Sequence, residues 1–589
     1  MRPKNLVSWN TRITCATNQG IVAKRRFKRS VDGCKYFKAA AGLVLAVALA
    51  NFPAAAKPGC DYVDIDVARY GEQPFQNPPE IASQNGVLDT RLVTRFTDPN
   101  KVSIGGCGVK LRTYNGQLVG PTWRVKPEDV LKVLLDNQLP LESPNEVAAQ
   151  FEQERSNAHL SVVPASFNTT NLHTHGLHVS PVGNSDNVLL GILPATKFPY
   201  EIKVPANHPP GSFWYHAHTH GSTSIQVGGG MAGALIIDDD PAKIPMALRD
   251  ANKDEKVMVL QTVLYDTDGE LNQIAALFPD PRPCPTPNPG TWQCSKRQVT
   301  INGQIRPVIT MRPGEVQRWR LIDSAFRQSF AIRLEQHALH EIALDGLYLG
   351  RVDTWQVGQT VELQPGYRSD LLVQASKTPG TYRLINGALP AARALRAVAQ
   401  SEQVLAIVKV EGDPVDMALP TSAEMAPLAP FPAVDLKSKA VGVQQVVFKL
   451  GQDVPGQRNY FQINSEAFDP NHVRKVVLNT VDQWSLSTVG DPVANNGIPA
   501  LPHVFHIHVN PFQVVRTDPA GQPEVVWKDT VLVPPKTEVN IYTQYTDYIG
   551  AFVLHCHILD HEDLGMMEVV EVIAEEGAKP LRAIVPHRH

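Results

Sequence analysis

Twelve residues late in the chain, His555-Cys556-His557-Ile558-Leu559-Asp560-His561-Glu562-Asp563-Leu564-Gly565-Met566, hold three histidines, a cysteine and a methionine. The preceding run, Gly550-Ala551-Phe552-Val553-Leu554, reads as a β-strand leading into a loop. Side chains on a strand alternate between faces. His555 and His557 therefore point one way and Cys556 the other. Two imidazoles on one face and a thiolate on the other can serve two metal centres joined covalently by the backbone between them. The loop then returns His561 and Met566, five and ten residues after the cysteine. A thiolate, imidazoles and a weak axial thioether are the ligand set of a blue-copper electron-transfer site.

Three more histidine clusters complete the pattern. Pro502-His503-Val504-Phe505-His506-Ile507-His508 places His506 and His508 on one face and His503 on the other. Upstream, His173-Thr174-His175-Gly176 and Trp214-Tyr215-His216-Ala217-His218 are each a His-x-His pair with both rings on one face of an extended segment. One such pair is weak evidence. Four clusters of matching parity, one with cysteine between its histidines, form a specific constellation. It resembles the multicopper oxidases, the laccases and bacterial copper oxidases, over most of the chain after residue 85. Val504 follows the first histidine of the triplet where that family usually has proline.

The resemblance implies roles for these residues. His503, Cys556 and His561, with Met566 axial, would hold a mononuclear type 1 copper. His173 and His506 would hold a type 2 copper. His175, His216, His218, His508, His555 and His557 would hold a type 3 pair, making four coppers per chain. A reducing substrate would give electrons singly to the type 1 copper, and dioxygen would be reduced to two waters at the trinuclear cluster. Glu562, directly after His561, and Asp186, eleven residues past His175, resemble the family's proton-handling acids. A solvated loop acid is the plain alternative for each. His178, His220, His337 and His340 are expected not to be ligands, and Trp214 and Tyr215 are expected to pack in a core.

These ligands require a scaffold, and the chain repeats one. Gly211-Ser212-Phe213-Trp214-Tyr215, Gly380-Thr381-Tyr382-Arg383-Leu384 and Gly550-Ala551-Phe552-Val553-Leu554 share a pattern, and their starts lie 169 and 170 residues apart. A three-residue slot follows each: His-Ala-His, Ile-Asn-Gly and His-Cys-His. A second repeat, at 125–133, 311–321 and 478–486, is an extended apolar run broken by a tight turn. Short β-rich runs between turn signals, with 48 prolines and 40 glycines, predict β-sandwiches. The fold class expected is all-β, three cupredoxin-like Greek-key sandwiches as the resemblance implies. The expected divisions are a signal peptide at 1–56, a lead-in at 57–84, a first domain at 85–240 and a second at 250–412. A linker at 413–437 and a third domain at 438–575 follow. The first and third domains would pool their histidines, and the ligand-free middle domain would be a spacer.

The N-terminus carries a basic stretch, Lys24-Arg25-Arg26-Phe27-Lys28-Arg29, an apolar run at 39–52 and the small residues Ala54-Ala55-Ala56. That order fits a secretory signal, to the periplasm or beyond, with Arg25-Arg26 a weak sign of the twin-arginine route. No segment is expected to span a membrane. A net charge of −3 argues against a nucleic-acid partner. Of seven cysteines, Cys15 and Cys34 would leave with the signal. Cys284 with Cys294, and Cys60 with Cys107, are the even pairings expected as disulfides, with unpaired thiols the alternative.

The function expected is oxidation of phenols or aromatic amines at the expense of dioxygen, laccase-like. A cuprous or ferrous ion oxidase is the alternative, and only nine methionines with no cluster among them count against it. A cupredoxin-fold assembly protein without metals is the third reading; every ligand position being filled argues against it.

Overall fold

The computed structural model describes residues 57–58, 71–142, 166–265, 269–271, 298–391, 393–395, 399–431, 434–452, 459–490 and 500–575. The expected signal, Cys15, Cys34, Cys60, Cys284, Cys294 and the tail from 576 lie outside them. Among the described residues no helix is long and apolar enough to cross a membrane.

Strands dominate and assemble into three two-sheet sandwiches whose five-stranded sheets share a four-strand order, with the fifth strand added at the opposite edge in the first. In the third, the order is Val473–Val477, Met567–Ile573, Gly550–Cys556, His503–Ile507 and Thr530–Val533. In the middle one it is Val308–Met311, Gln403–Val410, Gly380–Asn386, Phe330–Leu334 and Val361–Leu363. In the first it is Glu80–Ala82, Thr122–Val125, Ala232–Ile237, Gly211–His216 and His173–His175. The glycine-led strand of the repeat thus has the same neighbours three times. The facing sheets have four strands in the first sandwich and six in the others.

The second repeat is a strand that leaves one sheet and enters the other: Thr122–Val125 to Val130–Asn137, Val308–Met311 to Val316–Asp323, and Val473–Val477 to Val481–Val489. Each turn needs a left-handed residue, supplied by Glu128 (φ 76°), Gly314 (φ 80°) and Asn479 (φ 63°). A carboxylate closes the first two turns: Lys126 N donates to Asp129 (2.8 Å) and Arg312 N to Glu315 (2.6 Å).

Each sandwich buries its own core. Trp123, Leu135 and Tyr215 lie in the first, Trp319, Phe330 and Leu371 in the middle, and Trp484, Phe505 and Phe552 in the third. Each large apolar side chain so buried contributes about 1.5–3 kcal/mol. Cys556 belongs to the third core, as the alternation along Gly550–Cys556 requires.

Three local details lie beyond those expectations. The stretch after His557 is not all loop: Leu559–Asp563 forms one helical turn that carries His561 and Glu562 inward, and both are buried. Part of the lead-in is structural, because Glu80–Ala82 pairs with Thr122–Val125 and Gln73–Phe75 bonds to Val308. The segment between the second and third domains is docked, not free. Its helix Ser422–Met425, with a Thr421–Glu424 capping box, sinks Met425 into a cluster with Ile342 and Leu372. Cys107 is disulfide-bonded.

Candidate metal centre

Strand register brings the histidines together in pairs before the domains meet. His173 lies directly opposite His216, and His506 directly opposite His555. Opposed residues on an antiparallel pair face the same side, so each sheet presents a patch of imidazoles. The two patches face each other and are closed off from solvent: His173, His175, His216, His218, His506, His508, His555 and His557 are all buried.

Their donor atoms sort into sets within 4.8 Å: His175, His216 and His557; His218, His508 and His555; and His173 and His506 together with His175. In the second set, His218 Nε2 lies 3.1 Å from His555 Nε2 and 3.2 Å from His508 Nε2. In the first, His557 Nε2 lies 3.3 Å from His175 Nδ1. Three nitrogens sharing one tetrahedral ion with bonds of about 2.0 Å sit about 3.3 Å apart. A fourth set, on the other face of the same strands, is His503, Cys556 and His561. Cys556 Sγ is 3.4 Å from His503 Nδ1 and 3.8 Å from His561 Nδ1. Met566 is buried in the same core and its carbonyl accepts from Cys556 N at 3.0 Å.

The chemistry of these donors fits copper. The outer ring nitrogens are tied down: His173 Nδ1 to Asp186 (3.0 Å), His216 Nδ1 to Ala217 O (2.8 Å), and His506 Nδ1 to Asp529 O (2.8 Å). That leaves the Nε2 atoms of His173, His216 and His506 buried without a hydrogen-bond partner. Such an orphan is costly unless a metal takes its lone pair. Burial holds all eight imidazoles below their usual pKa, helped by neighbouring histidines at seven of them and by Arg368 at His506, to about 3 for His216 and about 4 for His506, so they are neutral donors at pH 7. Burial pushes the Cys556 thiol up to about 12. Its thiolate form needs a bound cation, which is what a metal supplies.

The two expected acids are both inside. Glu562 is fully buried, so the solvated-acid alternative fails. It lies 3.5 Å from His218 Nδ1 and 3.4 Å from His555 Nδ1, and accepts from Thr223 Oγ1 at 3.1 Å. Burial, then the adjacent Asp563 charge, raises its carboxyl well above the usual range. Asp186 touches His173 and accepts from Thr174 N (2.8 Å); burial raises it to about 7.

Sequence reasoning missed three contributors. Asp529 Oδ1 lies 3.2 Å from His175 Nε2, and Thr530 Oγ1 is 3.1 Å from His506 Nδ1. Gly366 of the middle domain (φ 90°) approaches so closely that a Cβ there would sit 3.0 Å from the His557 ring and 3.2 Å from His175. The middle domain is therefore part of the cavity wall and not only a spacer. No local pattern announces these residues: Asp529 meets His175 across 354 positions, and Thr530 meets His506 across 24.

The remaining histidines stand apart from the four sets. His178 bonds Val509 O and Asp547, and His220 packs on Phe468. His337 and His340 are bound within the middle domain. Tyr215 stacks on Trp123 in the first core. Trp214 packs between the first and middle domains and also stacks on His216, centroids 4.2 Å apart.

Comparison with known proteins agrees with this geometry. Three family models, each described as multicopper oxidase, match residues 152–242, 285–412 and 444–576. The multicopper oxidase mco of Staphylococcus haemolyticus is 24% identical over 463 residues, 78% of this chain and 83% of that one. A laccase of Bacillus stratosphericus is 24% identical over 496 residues, 79% and 91%. Among solved structures, a Campylobacter jejuni multicopper oxidase described as a metallo-oxidase superposes with a TM-score of 0.65 at 20% identity, over 88% of this chain and 99% of that one. All-β sandwiches of the cupredoxin kind, with imidazole sets between the first and third and a thiolate set inside the third, define a copper oxidase. The chain belongs to the multicopper oxidase family: it is an oxidoreductase that uses copper and passes the electrons of a reducing substrate to dioxygen.

Proposed function

We propose that the chain holds four coppers and oxidises phenols or aromatic amines, as a laccase-like enzyme. His503, Cys556 and His561, with Met566, would hold one ion. His173 with His506, the set His175, His216 and His557, and the set His218, His508 and His555 would hold the other three. Copper bound there supplies one-electron oxidation and the four-electron reduction of dioxygen to water.

The protein's own part is to connect, position and protonate. Cys556 lies in sequence between His555 and His557, so its backbone is a covalent bridge between the thiolate set and the cluster sets. The observation carrying the reading is this bridge, with ten histidines and the Cys556 sulfur gathered into buried, partly overlapping donor sets. The two sheets exclude water from the cluster. Glu562, whose carboxyl burial raises well above its usual range, stands behind the His218 and His555 rings at their Nδ1 atoms, where it would supply protons toward the cluster. Asp186 fixes the His173 ring so that its Nε2 faces the cavity. The basic and apolar N-terminal stretch and the Cys107 disulfide support export to an oxidising compartment.

A second reading, oxidation of cuprous or ferrous ions, draws on a cavity of about 220 Å³ beside residue 567. Glu466, Asp469, His472, Glu568 and Met567 line it and offer oxygen, imidazole and thioether donors. Oxygen uptake by copper-loaded protein, with a dimethoxyphenol and with cuprous ion in parallel, separates the two. Fast uptake with the phenol supports the laccase-like reading. Fast uptake with cuprous ion alone replaces it with the second, and no uptake with either rejects both.

A further inference from the structure

Arg368 opens the middle-domain strand Arg368–Gln374 and is fully buried. A guanidinium is costly to bury unless its charge is paired and its five N–H donors are met. Here they are, across all three domains. Nε donates to Ser212 O of the first domain (3.3 Å). Nη1 donates to Gly366 O (2.9 Å) and Nη2 to Asp345 O (2.8 Å) within the middle domain. Nη1 and Nη2 then grip the two oxygens of Asp529 of the third domain, at 2.8 and 2.5 Å.

Asp529 faces two cluster histidines from different domains, together with the Thr530 hydroxyl, which donates to Asp529 Oδ1 (2.7 Å) and lies 3.3 Å from His175 Nε2 and 3.1 Å from His506 Nδ1. Its carboxylate lies 3.2 Å from His175 Nε2, and its backbone oxygen accepts from His506 Nδ1 at 2.8 Å. The hydrogen bond on one ring nitrogen decides which nitrogen is left for a metal. His175 is thereby left with Nδ1, the atom facing His557, and His506 with its unpartnered Nε2. We propose that Arg368 is a positioning residue of the copper cluster: by clamping Asp529 it sets which nitrogen His175 and His506 each present, so the middle domain tunes a cluster whose ligands it does not supply. Lysine cannot reproduce this, having three donors on one atom and no planar fork.

The plain alternative is a strut between domains. A second buried pair tells the two apart, because Arg327 of the middle domain bonds Asp560 of the third (Nε to Oδ1, 2.7 Å) on the thiolate side. The test uses full-length, copper-loaded R368M, R368K and R327M. It reads copper per chain after dialysis against a chelator, the type 2 electron paramagnetic resonance signal and the blue absorption band. In R368M the blue band should persist, the type 2 signal should change, and cluster copper should be held on the order of 10–100-fold more weakly. R327M should keep the type 2 signal. If R368M does not fold, R368K is read the same way. Wild-type copper retention and signal in the variant that folds, equal cluster loss in R327M, or failure of both Arg368 variants to fold overturns the proposal. It rests on the four-copper reading; a wild-type control without cluster copper overturns both, and is seen before any variant is measured.

Discussion

Glu562 and Asp563 are adjacent carboxylates with different work. Asp563 accepts from the backbone of Gly221, Thr223 and Ser224 and from the Ser224 hydroxyl, which offsets part of its burial and leaves it at about 6. Glu562 has one hydroxyl donor and two histidines, and burial keeps it protonated well above the ordinary carboxylate range. In the proposed function Glu562 gives a proton, while Asp563 holds the frame. Replacement by Gln keeps the shape and removes the transferable proton. Glu562→Gln should lower kcat for oxygen consumption by roughly 10²–10⁴-fold with KM for the reducing substrate unchanged. Steady-state oxygen uptake at several substrate concentrations checks this; a raised KM with unchanged kcat would place Glu562 in substrate binding instead.

Elements act here by lining up faces. The strand pair His503–Ile507 and Gly550–Cys556 sends imidazoles to the cluster side and the thiolate to the core side because its period is two. The helical turn Leu559–Asp563 then reaches back to the first domain: Asp563 binds the start of the helix Thr223–Gly229. An ordinary N-cap contributes about 1 kcal/mol. Asp563→Ala would strand several buried N–H groups at about 1–3 kcal/mol each, so its loss in thermal unfolding should clearly exceed that of a surface cap. A change of only ~1 kcal/mol would show that water replaces it. The turn before Arg368–Gln374 is as tightly placed. Gly366→Ala must fit a Cβ at a left-handed φ against two ligand rings. Its copper content should fall below that of the wild type while the far-ultraviolet circular dichroism of the sandwiches is retained; wild-type copper content would mean that the rings can yield.

At the scale of the whole molecule, the domains are joined by buried ions. Asp239, after the last strand of the first domain, meets Arg318 (2.7 Å) and the Tyr348 hydroxyl (2.7 Å) of the middle domain; Arg318 and Arg320 also pair with Asp370. Burial alone would raise the Asp239 carboxyl, but the charges of Arg318 and Arg320 bring it below its ordinary value. A carboxylate depressed in the folded state stabilises fully above its unfolded pKa, about 3.9. That stability is lost as pH falls through the lower folded value. Asp239→Asn should therefore be less stable than wild type at neutral pH, and the gap should narrow below about pH 4. Urea midpoints across that range check the sign; a gap that widens on acidification would contradict it.

Much of the site was legible in the chain because its ligands obey local rules. His-x-His and His-Cys-His set parity on a strand, and copies of one strand 169 and 170 residues apart show which domains carry ligands. Residue type and alternation thus determined the donor set, the division of Cys556 from His555 and His557, and the three-sandwich plan. Tertiary structure decided the rest. It buried Glu562 in a helical turn, sorted the histidines into sets shared by the first and third domains, and drove Gly366 of the ligand-free domain against two of them and Arg368 against Asp529. The physical reason is that a hydrogen bond or a close approach is set by distance in space. Arg368 and Asp529 meet across 161 positions of chain, where no period of 2 or 3.6 residues connects them.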